Sequence, residues 1–206
     1  MFRPNNQVPK RIEGVSMNIE FKPFNKIARL SRECIVTEKI DGTNAQICIT
    51  EDGEFLVGSR SRWITPENDN FGFARWAYEN KDELLKLGVG SHFGEWWGSG
   101  IQRGYGLVKG DKRFSLFNVG RWVKFNGNPE LKDKQEYCPD CCDVVPILYE
   151  GIFDTLIING ALLTLKEKGS LASPNFMKPE GVVIYHTASR SLFKKTIEKD
   201  ESPKSV

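Results

Sequence analysis

Apolar and polar positions alternate along most of this chain in short runs, each closed by a turn signal. Residues 34–40, Cys-Ile-Val-Thr-Glu-Lys-Ile, form an apolar run that stops at Asp41-Gly42, which predicts a strand and then a tight break. Residues 45–50 and 54–59 flank Asp52-Gly53, a strong signal for a two-residue hairpin turn. From Phe71 to Leu87 the apolar positions Phe73, Trp76, Ala77, Leu84, Leu85 and Leu87 recur at helical spacing with Gly88 as a stop, so one helix or two short ones are expected. Strands are expected at 91–97 and 114–122, followed by a polar insertion over 126–143 that reads as a surface loop. Residues 144–150 predict another strand. Asp154 then caps a helix carrying Ile157, Ile158, Ala161, Leu162 and Leu165, which Gly169 ends. The last strands are Gly181–His186 and Leu192–Ile197. Many short strands with a few inserted helices, and no βα alternation, predict an α+β fold built on antiparallel sheets. No repeat, low-complexity tract or linker divides the chain, so residues 1–206 read as a single domain.

Composition narrows this reading only slightly. With 206 residues, 39% hydrophobic and 27% charged, the chain can bury a core, and a large multidomain enzyme is excluded. The net charge of +2 argues for neither nucleic acid nor membrane, but its distribution is uneven. Residues 1–32 hold 7 basic and 2 acidic side chains, 33–102 hold 6 and 12, 103–134 hold 8 and 3, and 135–206 hold 8 and 10. Two basic blocks therefore flank an acidic one, which leaves room for a polyanion-binding face. Five cysteines without a regular framework, a secretory signal or an apolar run of about 18 residues predict a reduced, cytosolic protein with no membrane segment. Cys138 and Cys141, with Cys142 adjacent, have zinc-ribbon spacing, but Cys34 and Cys48 form no second pair and His92 and His186 are isolated. Loop cysteines are the expectation there.

The stretch with chemical promise is Glu38-Lys39-Ile40-Asp41-Gly42-Thr43-Asn44, where a lysine ends an apolar strand at a sharp turn. Desolvation and neighbouring cations lower a lysine's pKa, and the neutral amine is a nucleophile. Lys-x-Asp-Gly alone describes many solvated lysines at hairpin turns. Here further elements follow in order: Ser59-Arg60, Phe93-Gly94-Glu95-Trp96-Trp97-Gly98, Phe114-Ser115-Leu116-Phe117-Asn118, Pro179-Glu180-Gly181-Val182-Val183-Ile184 and Leu192-Phe193-Lys194-Lys195.

Together these motifs resemble the covalent nucleotidyltransferase superfamily of polynucleotide ligases and messenger RNA capping enzymes, over about residues 24–197 with the motifs within 38–197. Glu-Lys-Ile-Asp-Gly-Thr-Asn and Gly-Glu-Trp-Trp-Gly look most similar to the ATP-dependent RNA ligase branch. The resemblance implies a nucleotidyltransferase (ATP-grasp-like ligase adenylation) domain. It implies that Lys39 attacks the α-phosphorus of ATP to give a lysyl-adenylate, within a motif whose Glu38, Asp41 and Gly42 belong to the nucleotide site. AMP would then pass to a 5′-phosphate end that a 3′-hydroxyl attacks.

Physical reasons accompany each position that the resemblance marks. Arg60 would offer a guanidinium fork to ribose or phosphate. Glu95, between Phe93 and Trp97 on its strand face, would accept hydrogen bonds from ribose hydroxyls in an otherwise apolar cleft. Phe117, expected to share a face with Ser115 and Val119, resembles the aromatic that stacks on adenine. Glu180 resembles the family's metal-binding glutamate, for Mg²⁺ or Mn²⁺. Lys194 would contact the α-phosphate, with Lys195 beside it in the nucleotide-binding set. Ligases of this type often carry two lysines spaced by one residue, whereas here Lys194 and Lys195 are adjacent and Thr196 takes the alternate position. Trp96, Trp97, Phe93 and the loop leading to Arg103 suggest an aromatic and basic surface for single strands, although core plus turn explains most of them.

The expectation is thus a monomeric ATP-dependent RNA ligase acting on RNA or RNA/DNA strand ends with a divalent metal. Only nine residues follow Ile197, so no OB-fold domain is expected after the motifs, which argues against DNA ligases and capping enzymes. A stand-alone domain of this kind suits a bacteriophage repair enzyme in the host cytoplasm. A small DNA ligase, a GTP-using capping-type transferase and a non-catalytic protein that binds nucleic-acid ends stay open as alternatives.

Overall fold

In the computed structural model, which describes residues 22–125, 127, 130–198 and 200, the apolar run after residue 32 becomes strand β1 (Glu33–Lys39). It is one of two inner strands, with β10 (Gly181–His186), of a sheet ordered β11-β10-β1-β9 whose edges are β9 (Ile147–Ile152) and β11 (Ser191–Thr196), all antiparallel. The first break at Asp41-Gly42 leads into a second sheet. Its β2 (Thr43–Ile49) and β3 (Phe55–Ser59) form the expected hairpin, but the turn is longer than the two residues expected at Asp52-Gly53: Gly53 N donates to Thr50 O, Thr50 N donates to Glu54 O, and Gly53, at φ 82°, takes the left-handed conformation while Asp52 does not. β4 (Gly90–Gly98), β5 (Lys112–Leu116) and β8 (Cys142–Val144) complete the order β3-β2-β4-β5-β8.

Alternation sorts the second sheet into two faces. Ala45, Ile47 and Ile49 of β2, Phe55 and Val57 of β3, Trp96 of β4, and Phe114 and Leu116 of β5 turn inward. They pack on Phe73, Ala74 and Ala77 of helix α1 (Phe73–Glu79) and on Leu84 of α2 (Lys81–Leu84). The expected helix over 71–87 is therefore two short ones, broken at Asn80, whose side-chain amide and backbone N–H both donate to Trp76 O. The first sheet buries Cys34, Val36, Val182 and Ile184 against Ile158 and Leu165 of α3 (Thr155–Lys168). Asp154 Oδ1 caps α3 by accepting from Leu156 N at 2.8 Å, and Gly169 ends it at φ 85°. A third cluster, Ile40, Trp97, Tyr105, Val119 and Val145, joins the two sheets.

Three expectations are corrected. The strand predicted over 114–122 ends at Leu116, because Arg121 N and Trp122 N both donate to Asn118 O and turn the chain; only Trp122–Val123 resumes as β6. The strand predicted over 144–150 is two strands in different sheets, separated by Val145-Pro146, since proline has no N–H to continue a ladder. The insertion over 126–143 is not wholly a surface loop. It carries β7 (Glu136–Tyr137), paired parallel with β6, and it sends Cys138 and Cys142 into the core at 6% and 1% exposure. Pairing of β5 with β8 is also parallel, so the sheets are antiparallel only in the main.

Candidate active site

Register carries the site residues to one place. Lys39 ends β1 opposite Gly181 of β10, and Asn44 of β2 lies opposite Glu95 of β4. The turn at residues 40–42 links the two sheets, so the lysine and the buried glutamate meet across it. Lys39 Nζ donates to Glu180 Oε2 at 2.5 Å, with the lysine side chain 25% exposed. On the other side of the turn, Gly42 N donates to Glu95 Oε1 at 3.0 Å, while Asn44 Nδ2 lies 3.4 Å from Oε2. Only glycine fits at position 42. A Cβ there would lie 2.4 Å from Trp96 O and 2.8 Å from Trp97 Cβ.

Glu95 is 8% exposed, and burial pushes its carboxyl up to about 7. The Gly42 N–H and the Lys39 charge oppose that rise, whereas Glu180 and Asp41 add to it. Its neighbours on the strand face differ in fate. Trp97 is buried and donates through Nε1 to Ser115 Oγ at 2.9 Å, whereas Phe93 is half-exposed. Phe117 sits just past the end of β5, donates its N–H to Phe93 O and leaves its ring partly open. Its expected partner Val119 is buried in the inter-sheet cluster instead, because the chain has already left the strand. Arg60 follows β3 at the same sheet end as Asn44, since Ala45 pairs with Ser59. It is exposed and has no hydrogen-bond or ion-pair partner among the described residues.

Two predicted residues are not brought to the cleft. Directly opposed residues of an antiparallel pair share a face. Lys39, Gly181 and Thr196 are thus on one face of the first sheet together with Thr37, Val183 and Lys194, and Glu38, Val182 and Lys195 are on the other. Lys194 shares the Lys39 face and Lys195 does not, although both border an apolar groove beside Phe193, Ile184 and Ile158. Glu38 is 1% exposed and accepts Leu171 N and Ala172 N on Oε2 at 2.8 and 3.0 Å. Burial raises its carboxyl against a hydrogen bond from the Ser170 side chain and the two backbone ones. Glu38 anchors the segment after α3.

Asp41, Arg103 and Tyr105 form a further layer that local sequence pattern does not show. Arg103 Nε donates to Asp41 Oδ2 at 3.0 Å, Asp41 N donates to Tyr105 Oη at 3.0 Å, and Tyr105 Oη donates to Lys39 O at 3.4 Å. Tyr105 is fully buried between Trp97 and Phe176, and burial raises its hydroxyl well above the ordinary value. Gln102 and Tyr105 hold φ of 44° and 49°, each costing of order 1–3 kcal/mol, which persists only where surroundings fix the loop. The flanking Gly104 and Gly106 were the one sequence sign of such a turn. Trp96 and Trp97 are both buried, so of the three aromatics expected at a surface for single strands Phe93 alone is exposed.

A family model described as RNA ligase matches residues 32–199. No curated protein sequence matches the chain. Among solved structures, a mutant of the Naegleria gruberi RNA ligase in its apo form is similar at 21% identity and a TM-score of 0.55, over 81% of this chain and 50% of that one. A mutant of the same ligase with AMP and Mn gives 21% and 0.54 over 80% and 49%, and one with ATP and Mn gives 20% and 0.56 over 85% and 53%. At these identities the likeness is one of fold, and the chain spans about half the length of the solved structures it matches.

Proposed function

This chain belongs to the RNA ligase family, and from that premise we propose that it is an ATP-dependent RNA ligase working through a covalent adenylate on Lys39. The observation that carries the reading is the convergence on one turn of Lys39 with Glu180 at 2.5 Å and of Gly42 with buried Glu95 at 3.0 Å. A nucleotide fits what these residues lack. Glu95 has one firm hydrogen bond and a carboxyl that burial disfavours as an anion, a deficit that ribose hydroxyl donors would relieve. The open faces of Phe93 and Phe117 suit an adenine. Glu180 offers the carboxylate oxygen that Mg²⁺ or Mn²⁺ prefers, and such ions need only one or two carboxylates when phosphates and water supply the rest. A bound divalent ion supplies charge neutralisation on the phosphates.

In this reading the Lys39 ammonium first releases a proton to solvent; the neutral amine attacks the α-phosphorus and loses a second proton to solvent as the phosphoramidate forms. A nitrogen–phosphorus bond forms, the bond to the bridging oxygen breaks, and pyrophosphate leaves with the electron pair. Lys194, from the same sheet face, holds phosphate charge, and Arg60 reaches ribose or phosphate from the end of β3. A 5′-phosphate oxygen next attacks the adenylate and returns the pair to Lys39. A 3′-hydroxyl then attacks that 5′-phosphate and AMP departs. RNA or RNA/DNA ends are the proposed substrate, with phosphate contacts from the basic block at 103–134. Both sheets act as one nucleotidyltransferase unit in a reducing cytoplasm, as the five free thiols fit.

Incubation with α-labelled ATP, GTP or NAD and manganese, followed by denaturing electrophoresis, tests the reading. A covalent label from ATP that a 5′-phosphorylated RNA chases off is expected. Labelling from GTP alone would favour a capping-type transferase, and no label from any nucleotide would leave a binding protein.

A further inference from the structure

Arg103 lies outside the motifs that resemble the ligase family, yet it touches both segments that carry the proposed chemistry, one through a side chain and the other through backbone carbonyls. Its Nε donates to Asp41 Oδ2 at 3.0 Å, two residues beyond Lys39. Its Nη1 donates to Lys178 O at 3.1 Å and to Pro179 O at 3.5 Å, the two residues before Glu180. Nη2 lies 4.0 Å from Glu198 Oε2, just past the final strand. The loop that presents it is held from below: Ile101 and Tyr105 are fully buried, and Ser173 Oγ donates to Tyr105 O at 2.7 Å. We propose that Arg103 is a positioning residue, a planar brace that fixes the lysine turn of one sheet junction against the segment entering β10, and so sets Lys39 against Glu180.

The geometry explains why arginine is needed. One rigid group donates in two directions at once, to a carboxylate and to a pair of carbonyls, whereas a lysine ammonium gathers its three donors at one point on a flexible stem and does not hold the two sides at a fixed spacing. Nothing in the arrangement aims the guanidinium at a ligand. Nε and Nη1 make three hydrogen bonds to protein, and Nη2 faces Glu198 at 4.0 Å. Its effect on reaction would therefore come through geometry, and misplacing reacting groups by about 1 Å costs about 100-fold in rate.

The inference rests on the ligase reading, but it can be tested apart from it. Backbone hydrogen exchange on the ligand-free protein would compare wild type with Arg103→Gln and Arg103→Lys. Faster exchange in both the 39–42 and the 178–181 segments of both variants is expected, with the β2–β3 hairpin unchanged. Loosening of one segment only, or an unchanged pattern in Arg103→Lys, overturns the brace whether or not the protein is a ligase. In single-turnover adenylation, both variants should be slowed about 100-fold, with ATP affinity of the Lys39→Ala background changed little by Arg103→Gln. Asp41→Asn should add little to Arg103→Gln. Multiplying losses in that double variant, or a loss confined to ATP affinity, would make Arg103 a ligand contact and overturn the proposal. If wild type forms no adenylate, the ligase reading fails and the exchange result alone decides the brace.

Discussion

Replacing Glu95 by glutamine should stabilise the ligand-free protein at alkaline pH while weakening its affinity for ATP. Glutamine keeps the length of the side chain and an oxygen for Gly42 N–H, but it carries no charge to bury. Raising a carboxyl from its ordinary 4.5 to about 7 corresponds to about 3 kcal/mol of ionisation cost, an upper figure because the glutamine amide also needs partners. Between pH 4.5 and about 7 the folded chain keeps a proton at Glu95 that the unfolded chain has lost, so stability falls as pH rises through that window and the loss is complete above it. Thermal melts of wild type and Glu95→Gln at a series of pH values isolate this one group. The two should melt together near pH 4.5 and separate progressively, until the variant leads by about 3–10 °C at pH 8, at roughly 2–4 °C per kcal/mol for a chain of this size. A gap that is the same at pH 5 and pH 8, or a variant less stable than wild type at pH 8, would refute the desolvation argument. The complementary readout is ATP binding in a Lys39→Ala background, where the same substitution should weaken affinity.

Face assignment gives a second prediction: Lys194→Ala should slow adenylation about 100-fold, whereas Lys195→Ala, on the opposite face, should stay close to wild type in the same single-turnover assay. Gly42→Ala forces a Cβ to within 2.4 Å of Trp96 O, so it should lower thermal stability by about 1–3 kcal/mol and abolish nucleotide labelling. Glu180→Ala should lose labelling far more than Glu180→Asp, measured across a manganese titration, because the shorter acid still offers carboxylate oxygen. Equal and mild losses in the two would remove Glu180 from metal binding.

Where local signals governed local structure, the sequence was readable. The β2–β3 hairpin follows from period-two alternation around Asp52-Gly53, and α3 follows from Asp154 and Gly169 at its ends. The errors came where a single residue redirected the chain. Asn118 ended β5 early, and Pro146 moved the chain from one sheet to the other. Exclusion of Glu38 from the cleft was legible in principle, since neighbours on a strand face opposite ways and Lys39 holds the cleft side. The split between Lys194 and Lys195 was not, because it depends on the register of β1, β10 and β11 together. Asp41 meets Arg103 and Tyr105 across 62 and 64 residues, a separation over which periodicity carries no information.

Peptide mapping by mass spectrometry of the protein incubated with ATP and manganese tests the central claim most directly. The account predicts one adenylyl group per chain, carried on Lys39, labile to acid, absent from Lys39→Arg and discharged by 5′-phosphorylated RNA. An adduct on any other residue, or an adenylyl group retained by Lys39→Arg, would contradict it.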